Sequence, residues 1–169
     1  LRLGNPYLKP AVTQNYDLYA SVYEHHVGLF TAGFFYKEIK NLIVPIQYYT
    51  KDASKIHYRY KLTQADYTTI NTWTNLEETS YVRGIELDWQ THFWYLPSFL
   101  KGLVFNINYT HINSVTRYPY FKSVATGTGV FKKYKYIDTT RTGRLVNQPN
   151  DILNLTIGYD IGDFSARLS

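Results

Sequence analysis

The chain has 169 residues, a net charge of +5 and an aromatic content of 18%. That aromatic content excludes a disordered chain, which would be poor in aromatics and rich in charge. The absence of cysteine excludes a disulfide framework, a thiolate metal site and a cysteine nucleophile. The longest apolar runs span a handful of residues, whereas a membrane helix needs roughly 18. A membrane β-barrel is not excluded, because barrel strands alternate apolar and polar residues and therefore have a low mean hydropathy.

The sequence also contains no methionine and begins at Leu1, without a charged-then-apolar leader. Two interpretations are open here: a mature chain trimmed at its front, or a piece of a longer protein. The strand count given below favours the second.

Five segments alternate apolar and polar residues with period two, which predicts β-strands. A sixth, 29–39, is also predicted as a strand, although it is apolar on both faces until Lys37. The clearest is 81–93, where Ile85 and Leu87 share one face and Glu86 and Asp88 share the other. Complete segments run roughly 9–12 residues; strands that cross a bilayer need about 9–11, and globular strands usually have about 5–6. The predicted strands cover 15–23, 29–39, 81–93, 103–111, 153–161 and a segment that begins at Phe164.

The connections between these strands alternate in length: short at 24–28, long at 41–80, short at 94–102, long at 112–150 and short at 162–163. Outer-membrane barrels have short periplasmic turns and long extracellular loops, so this order predicts an all-β, antiparallel, up-and-down transmembrane β-barrel. Six strands do not close such a barrel, because the smallest bacterial ones have about 8 and lipid does not tolerate unpaired edges. We therefore expect a piece of a larger barrel.

Aromatic residues lie beside the short turns, where a periplasmic-side girdle would be found. The alternative is that they pack in a protein core at the strand ends. The girdle candidates are Phe93, Trp94, Tyr95, Tyr159 and Phe164.

Arg83 has lipid-facing parity, and we place it at the outer rim, because a charge costs about 2–4 kcal/mol near mid-bilayer and almost nothing at the interface.

Four stretches resemble TonB-dependent outer-membrane receptors and occur in that family's order. GNPYLKP (4–10) with NYDL (15–18) resembles the family's NPxLKPE…NYELG, with Ala11 in place of the usual acid. Three further stretches resemble the family's later strands and its P…NLSLGYExGgFSA hairpin, at 28–39, 81–87 and 147–164. The family-motif positions are Asn5, Pro6, Leu8, Pro10, Gly84 and Glu86.

The resemblance implies a barrel of about 22 strands with a plugged lumen, of which residues 1–169 form part of the C-terminal half. The plug domain, the TonB-contacting segment and the closing strand would lie outside these residues. The implied function is TonB-energised uptake of a scarce, bulky nutrient, such as a ferric siderophore, haem, cobalamin or a glycan, across the outer membrane of a Gram-negative bacterium. The implied partners are the TonB complex, lipopolysaccharide or other outer-membrane lipid, the small-molecule or oligosaccharide substrate and a surface lipoprotein. No catalytic residue, metal site or cofactor is expected.

Some motif residues also have a physical explanation. Gly84 has lumen-facing parity and marks a bend or the close approach of another backbone, which in this family could be the plug. Glu86 has the same parity, and its carboxylate can simply be solvated in a water-filled barrel lumen. The Asn-Pro and Lys-Pro pairs restrict the chain to extended or turn shapes, which suits a strand start at a loop rim.

Residues 113–147 carry seven basic residues and one acidic residue, and they are also rich in aromatics. This composition suits an anionic ligand with flat groups, sugar stacking, contact with lipid phosphates, or simply a solvated loop. In the other long connection, 55–62 and 67–75 alternate well enough to extend a hairpin above the membrane. The candidate ligand-binding residues are Tyr58, Trp73, Arg117, Tyr118, Tyr120, Lys132, Lys133, Tyr134 and Lys135.

Two alternatives remain open from the residues alone: another outer-membrane barrel, such as a porin or adhesin, and a soluble secreted β-sandwich used in binding. Interleaved basic and aromatic residues are also found in proteins that bind nucleic acid, but no matching fold signature is present. Enzymatic functions are disfavoured, since HExxH, GxSxG, P-loop and GxGxxG motifs are absent. His25 and His26 fall in a short turn, where solvent-facing polarity is the default expectation.

Overall fold

The computed structural model describes residues 2–50, 68–127 and 133–169. Within them the chain forms nine β-strands and a short 3-10 helix at Ser98–Gly102. No helix among these residues is long and apolar enough to cross a membrane. The strands are β1 (Val12–Glu24), β2 (Gly28–Lys40), β3 (Ile43–Thr50), β4 (Thr68–Asn75), β5 (Ser80–His92), β6 (Leu103–Thr126), β7 (Lys133–Gly143), β8 (Asp151–Ile161) and β9 (Phe164–Leu168).

The main sheet has the order β1-β2-β5-β6-β8-β9, with β7 paired to β6, while β3 and β4 form a separate two-stranded sheet. The pairs β6–β8 and β8–β9 are antiparallel, with Phe105 opposite Ile157 and Tyr159 opposite Ala166. The six strands of the main path are the six predicted from the sequence, and they follow each other in chain order. The prediction of an all-β, antiparallel, up-and-down sheet is therefore confirmed.

Two compact units divide the chain. One, here called the wall unit, contains Gln14–Glu38, Tyr81–Ser114 and Arg144–Ser169. The other, here called the hairpin unit, contains Leu1–Thr13, Ile39–Ser80 and Val115–Gly143.

The wall unit presents one apolar face to its surroundings. Along β8, Leu153 and Leu155 lie on this face and Asn154 and Thr156 on the opposite one, because strand side chains alternate. Single exposed apolar residues are common, but a contiguous exposed apolar face marks contact with a membrane or a partner. Ten of its large members are at least two-fifths exposed: Leu18, Val22, Phe30, Phe34, Ile85, Leu153, Leu155, Ile157, Phe164 and Leu168.

The opposite, polar face of the wall unit is closed locally by aromatic rings that lie over glycines. The Tyr19 ring occupies the space above Gly33, and the Phe35 ring occupies the space above Gly84, where a Cβ atom would also meet the backbone oxygen of His111. Of the two explanations given for Gly84, a bend or the close approach of another backbone, the structure shows a close approach by the neighbouring strand of the same sheet. Tyr19 also donates its hydroxyl to Glu86 Oε2 over 2.8 Å, so Glu86 is tied to a neighbour as well as solvated.

An aromatic cluster lies at the short connections, where the sequence predicted it. The Trp94 ring lies 4.4 Å from the His25 ring, centroid to centroid, and its Nε1 donates to the His25 carbonyl oxygen over 3.2 Å. The His26 ring lies 5.3 Å from the Tyr95 ring, edge to face. His25 and His26 thus pack against aromatic rings. The sequence had indicated only that these two residues lie in a short turn and face solvent. Phe93 joins the cluster through Tyr95.

A second aromatic row crosses β1, β2 and β5 toward the opposite strand ends. Tyr16 and Tyr36 lie 6.3 Å apart, and Tyr36 stacks on Tyr81 at 6.2 Å. Arg83 is exposed two residues further along β5. Arg83 is thus close in the chain to this tyrosine row, near the end of β5 that leads to the long connection.

Most of 112–150 is paired strand rather than loop, which corrects the sequence interpretation. β6 continues to Thr126 and pairs with β7 over eleven registered positions. The extension was missed because its inward positions are polar: Thr116 is 2% exposed and shares a hydrogen bond with the buried Ser80 hydroxyl. Hydroxyls that satisfy each other can be buried, so polar residues here do not indicate a loop.

Within 67–75, the described residues Thr68–Asn75 form β4 as the alternation predicted, and its partner is β3 at Ile43–Thr50. The segment 55–62 lies outside the described residues. β3 was missed because it contains Pro45, which lowers the expectation of a strand. Pro45 lies opposite Trp73, whose carbonyl accepts a hydrogen bond from Asn5 on the far side of β4. The pair is therefore a non-hydrogen-bonded one, where proline's missing N–H is not needed.

Candidate functional site

The register of the β6–β7 hairpin sorts its residues by chemistry. Tyr118 lies opposite Arg141, Val124 opposite Lys135 and Thr126 opposite Lys133. Directly opposite residues share a face, and every second residue along a strand returns to it. The set that results is called the basic face: Tyr118, Tyr120, Lys122, Lys133, Lys135 and Arg141.

The basic face contains no acidic residue. Asp138, the one acid in 113–147, lies opposite Phe121 and so falls on the other face. Tyr120 is 48% exposed, and Arg141 is exposed as well. Lys122, Lys133 and Lys135 are placed on this face by backbone register alone. The register thus assigns four basic positions and two tyrosine positions to one face of the hairpin.

Arg117 and Tyr134 belong to the opposite face of the same hairpin, so the structure does not group them with the other candidates. Arg117 Nη1 donates to Glu78 Oε1 over 2.8 Å, and both side chains are half exposed. An exposed ion pair of this kind contributes about 0–1 kcal/mol. The positive charge of Arg117 is largely balanced by Glu78. Arg117 is therefore a weaker candidate than Arg141 for contact with an anionic ligand.

The segment that contains the GNPYLKP motif forms a strap (residues 2–10) that lies beside β4. Leu3 N donates to the Asn71 carbonyl oxygen over 3.0 Å, and Asn5 Nδ2 donates to the Trp73 carbonyl oxygen over the same distance. Asn5 Oδ1 also accepts from Tyr7 N at 2.9 Å, which shapes the turn at Pro6. The strap therefore covers the edge of β4, which would otherwise expose unpaired backbone groups.

Asn75 is the residue that sequence reasoning missed. Its Oδ1 accepts from Lys9 N at 2.8 Å, while its Nδ2 donates to the carbonyl oxygens of Lys9 at 2.8 Å and Asn41 at 2.7 Å. One side chain thus joins the strap, the start of the hairpin and the end of β4. An Asn-Leu-Glu-Glu tetrapeptide carries no local signal for this, because both partners are distant in sequence.

The remaining candidates divide by position. Trp73, on β4, is 50% exposed. Tyr58 and Lys132 lie outside the described residues. Leu8 and Pro10 lie in the strap, and Gly84 and Glu86 lie on the polar face of β5.

A sheet of long antiparallel strands with one exposed apolar face, one polar face and extended hairpins is the wall of an outer-membrane β-barrel. The family model described as TonB dependent receptor-like, beta-barrel matches residues 1–169, and the chain belongs to this family. Searches of the curated proteins and of the solved structures each found no significant match.

Members of this family are TonB-dependent receptors of the Gram-negative outer membrane and act in transport, not in enzymatic catalysis. The family match decides against the porin, adhesin and soluble sandwich alternatives. It also agrees with the exposed apolar face, which a soluble sandwich would bury in a protein core.

Proposed function

We propose that the chain forms part of the barrel wall of a TonB-energised importer of a scarce, bulky nutrient. We further propose that the basic face contacts an anionic group of that substrate. The single observation that carries the second proposal is the β6–β7 register, which gathers positive charge and tyrosine on one face and leaves the acid on the other. Among ferric siderophores, haem, cobalamin and glycans, this chemistry favours the anionic, flat ones.

The physical argument rests on charge and shape together. Several cations without a local acid create a positive potential that attracts anions over about 8–10 Å at physiological ionic strength. Tyrosine rings add flat contact area and a polar tip. A catecholate complex or a porphyrin carboxylate offers both a negative charge and a flat group. Lipid phosphates offer only the charge.

The domain organisation is also a proposal. Every residue of β1 and of β9 is exposed, and each of these strands pairs with one neighbour among the described residues. Backbone groups at such edges need partners in a bilayer. We propose that further barrel strands pair with β1 and β9, and that the plug and the TonB-contacting segment lie elsewhere in the receptor. The mass of the native polypeptide in an outer-membrane fraction tests this: several times 19.8 kDa supports it, and about 19.8 kDa contradicts it.

Charge reversal tests the substrate contact. Cells that carry the intact receptor with Lys133→Glu, Lys135→Glu and Arg141→Glu should need about tenfold more of an anionic substrate for half-maximal uptake, which corresponds to about 1.4 kcal/mol. The matched control is Lys101→Glu, because Lys101 is an exposed cation beside a short connection. Unchanged uptake in the triple variant would remove the basic face from the binding account. Uptake that persists without TonB would contradict the energised transport.

A further inference from the structure

We propose that a groove on the apolar face of the wall unit binds an acyl chain of one phospholipid from the periplasmic leaflet of the outer membrane. This site goes beyond the proposed function, because its ligand is a membrane lipid and not a transported substrate. The family resemblance leaves the lipid partner open between lipopolysaccharide and other outer-membrane lipid. The position of the groove along the strands selects between them.

The groove is a concave part of the apolar face. Its volume is about 340 Å³, which is at the lower end of the range found for ligand pockets. A flat wall touches a lipid chain from one side, whereas a groove surrounds the chain and gains more dispersion contacts. Three strands and one short connection of the wall unit contribute its large lining residues: Val27, Phe30, Leu87, Trp89, Ile107 and Tyr109.

The lining is continuous with the rest of the apolar face. Along β5, Leu87 and Trp89 alternate with Asp88, so Asp88, which also borders the groove, directs its carboxylate to the polar face. There Asp88 Oδ1 accepts from Gln90 Nε2 over 2.8 Å. Phe30, on β2, is 42% exposed on the apolar face. The groove therefore opens on the same side as the apolar face.

The two lining residues with polar tips use those tips inside the protein. Trp89 Nε1 donates to the Val27 carbonyl oxygen, and the Tyr109 hydroxyl donates to Asp151 Oδ1, each over 2.7 Å. The Trp89 ring also packs against the Phe105 ring, with 5.3 Å between the centroids. The groove thus offers ring and aliphatic surface, which suits hydrocarbon, and a polar ligand would leave its own groups unpaired there. Its walls are fixed before a lipid arrives, which lowers the ordering cost of binding.

The groove lies near the short connections. Val27 belongs to the connection between β1 and β2, Trp89 lies three residues before the end of β5, and Ile107 lies four residues after the start of β6. At about 3.3 Å per residue, these two strand positions are roughly 10–13 Å from the strand ends, less than half of a hydrocarbon core of about 30 Å. Short connections of outer-membrane barrels face the periplasm. Phospholipid forms that leaflet and lipopolysaccharide forms the other, so the occupant is phospholipid.

Native mass spectrometry of the intact receptor, released from outer membranes in a mild detergent, tests the proposal. The parent should retain one two-chain phospholipid after a detergent exchange that removes loosely bound lipid. Leu87→Trp with Ile107→Trp fills the groove and should lower the retained fraction about tenfold. The mass of the extracted lipid identifies its head group and its number of chains.

The matched control is Leu18→Trp with Leu168→Trp, which adds two indoles to the apolar face outside the groove. Lipid retention in this control should equal that of the parent. A second route removes a wall instead of filling the groove: Trp89→Ala should also lower retention. Heat-modified gel mobility reports whether each variant is folded.

Three results would overturn the proposal: the folded parent retains no lipid, the filled variant retains as much as the parent, or the control loses as much as the filled variant. A retained lipid with the mass of lipopolysaccharide would also overturn it, because lipopolysaccharide belongs to the other leaflet. Charge reversal of the basic face should leave lipid retention unchanged. The lipid proposal and the substrate proposal can therefore fail independently of each other.

Discussion

Gly84→Ala is the substitution for which the structure gives the most definite expectation. A Cβ atom at this position would lie 2.7 Å from Phe35 Cε1, and closer still to Phe35 Cζ and the His111 carbonyl oxygen. The His111 oxygen belongs to the backbone of the neighbouring strand and cannot move aside alone. The Phe35 ring is a side chain, but at 6% exposure it has little free space to move into. Overpacking of this kind costs about 1–3 kcal/mol.

Denaturant unfolding of the intact receptor, followed by tryptophan fluorescence, measures this cost. Gly143→Ala is the matched control, because its added methyl group would meet only the Tyr118 ring at 3.7 Å, an ordinary contact. Adding Phe35→Leu to Gly84→Ala should recover part of the loss but not all of it, since the backbone oxygen remains. If Gly84→Ala unfolds at the same denaturant concentration as the parent, the close packing argued for the polar face is wrong.

Two further predictions concern the strap and the apolar face. Asn75→Ala removes three hydrogen bonds to Lys9 and Asn41 and should cost about 1–3 kcal/mol of local stability, seen as faster protease cleavage within residues 2–10. Asn75→Asp keeps only the acceptor and should be intermediate; equal cleavage rates in all three proteins would contradict this. Leu155→Arg should cost about 2–4 kcal/mol in bilayer-inserted protein, whereas Asn154→Arg on the opposite face should cost far less. Equal losses would show that β8 does not divide lipid from lumen.

The strands of the wall could be predicted from the sequence because each has one apolar face and one polar face. Residues such as Leu155 and Asn154 alternate in polarity, and a half-apolar strand leaves that period in its sequence. The same logic failed beyond His111, where the inward positions of β6 are hydroxyls such as Thr116. There, burial is satisfied by hydrogen bonds between distant residues, which no local pattern records.

The candidate site was predictable in composition but not in arrangement. The sequence indicated that 113–147 is basic and aromatic, yet only the register separates Arg117 from Arg141. It also indicated that Asn5 belongs to a motif, but not that its amide holds the Trp73 backbone. Such contacts join residues far apart in the chain, and their pairing follows from the fold as a whole.

We infer from the exposed apolar face that one face of the wall meets lipid and the other meets water. Residues 1–169 contain no cysteine. Single cysteines can therefore be introduced and spin-labelled at each position from 153 to 161, in a membrane-inserted receptor in which any cysteine outside residues 1–169 has been replaced. Oxygen, which concentrates in lipid, should reach labels at Leu153, Leu155 and Ile157 best. A water-soluble nickel complex should reach labels at Asn154 and Thr156 best. Accessibilities that do not alternate, or that alternate with the opposite parity, would contradict this inference.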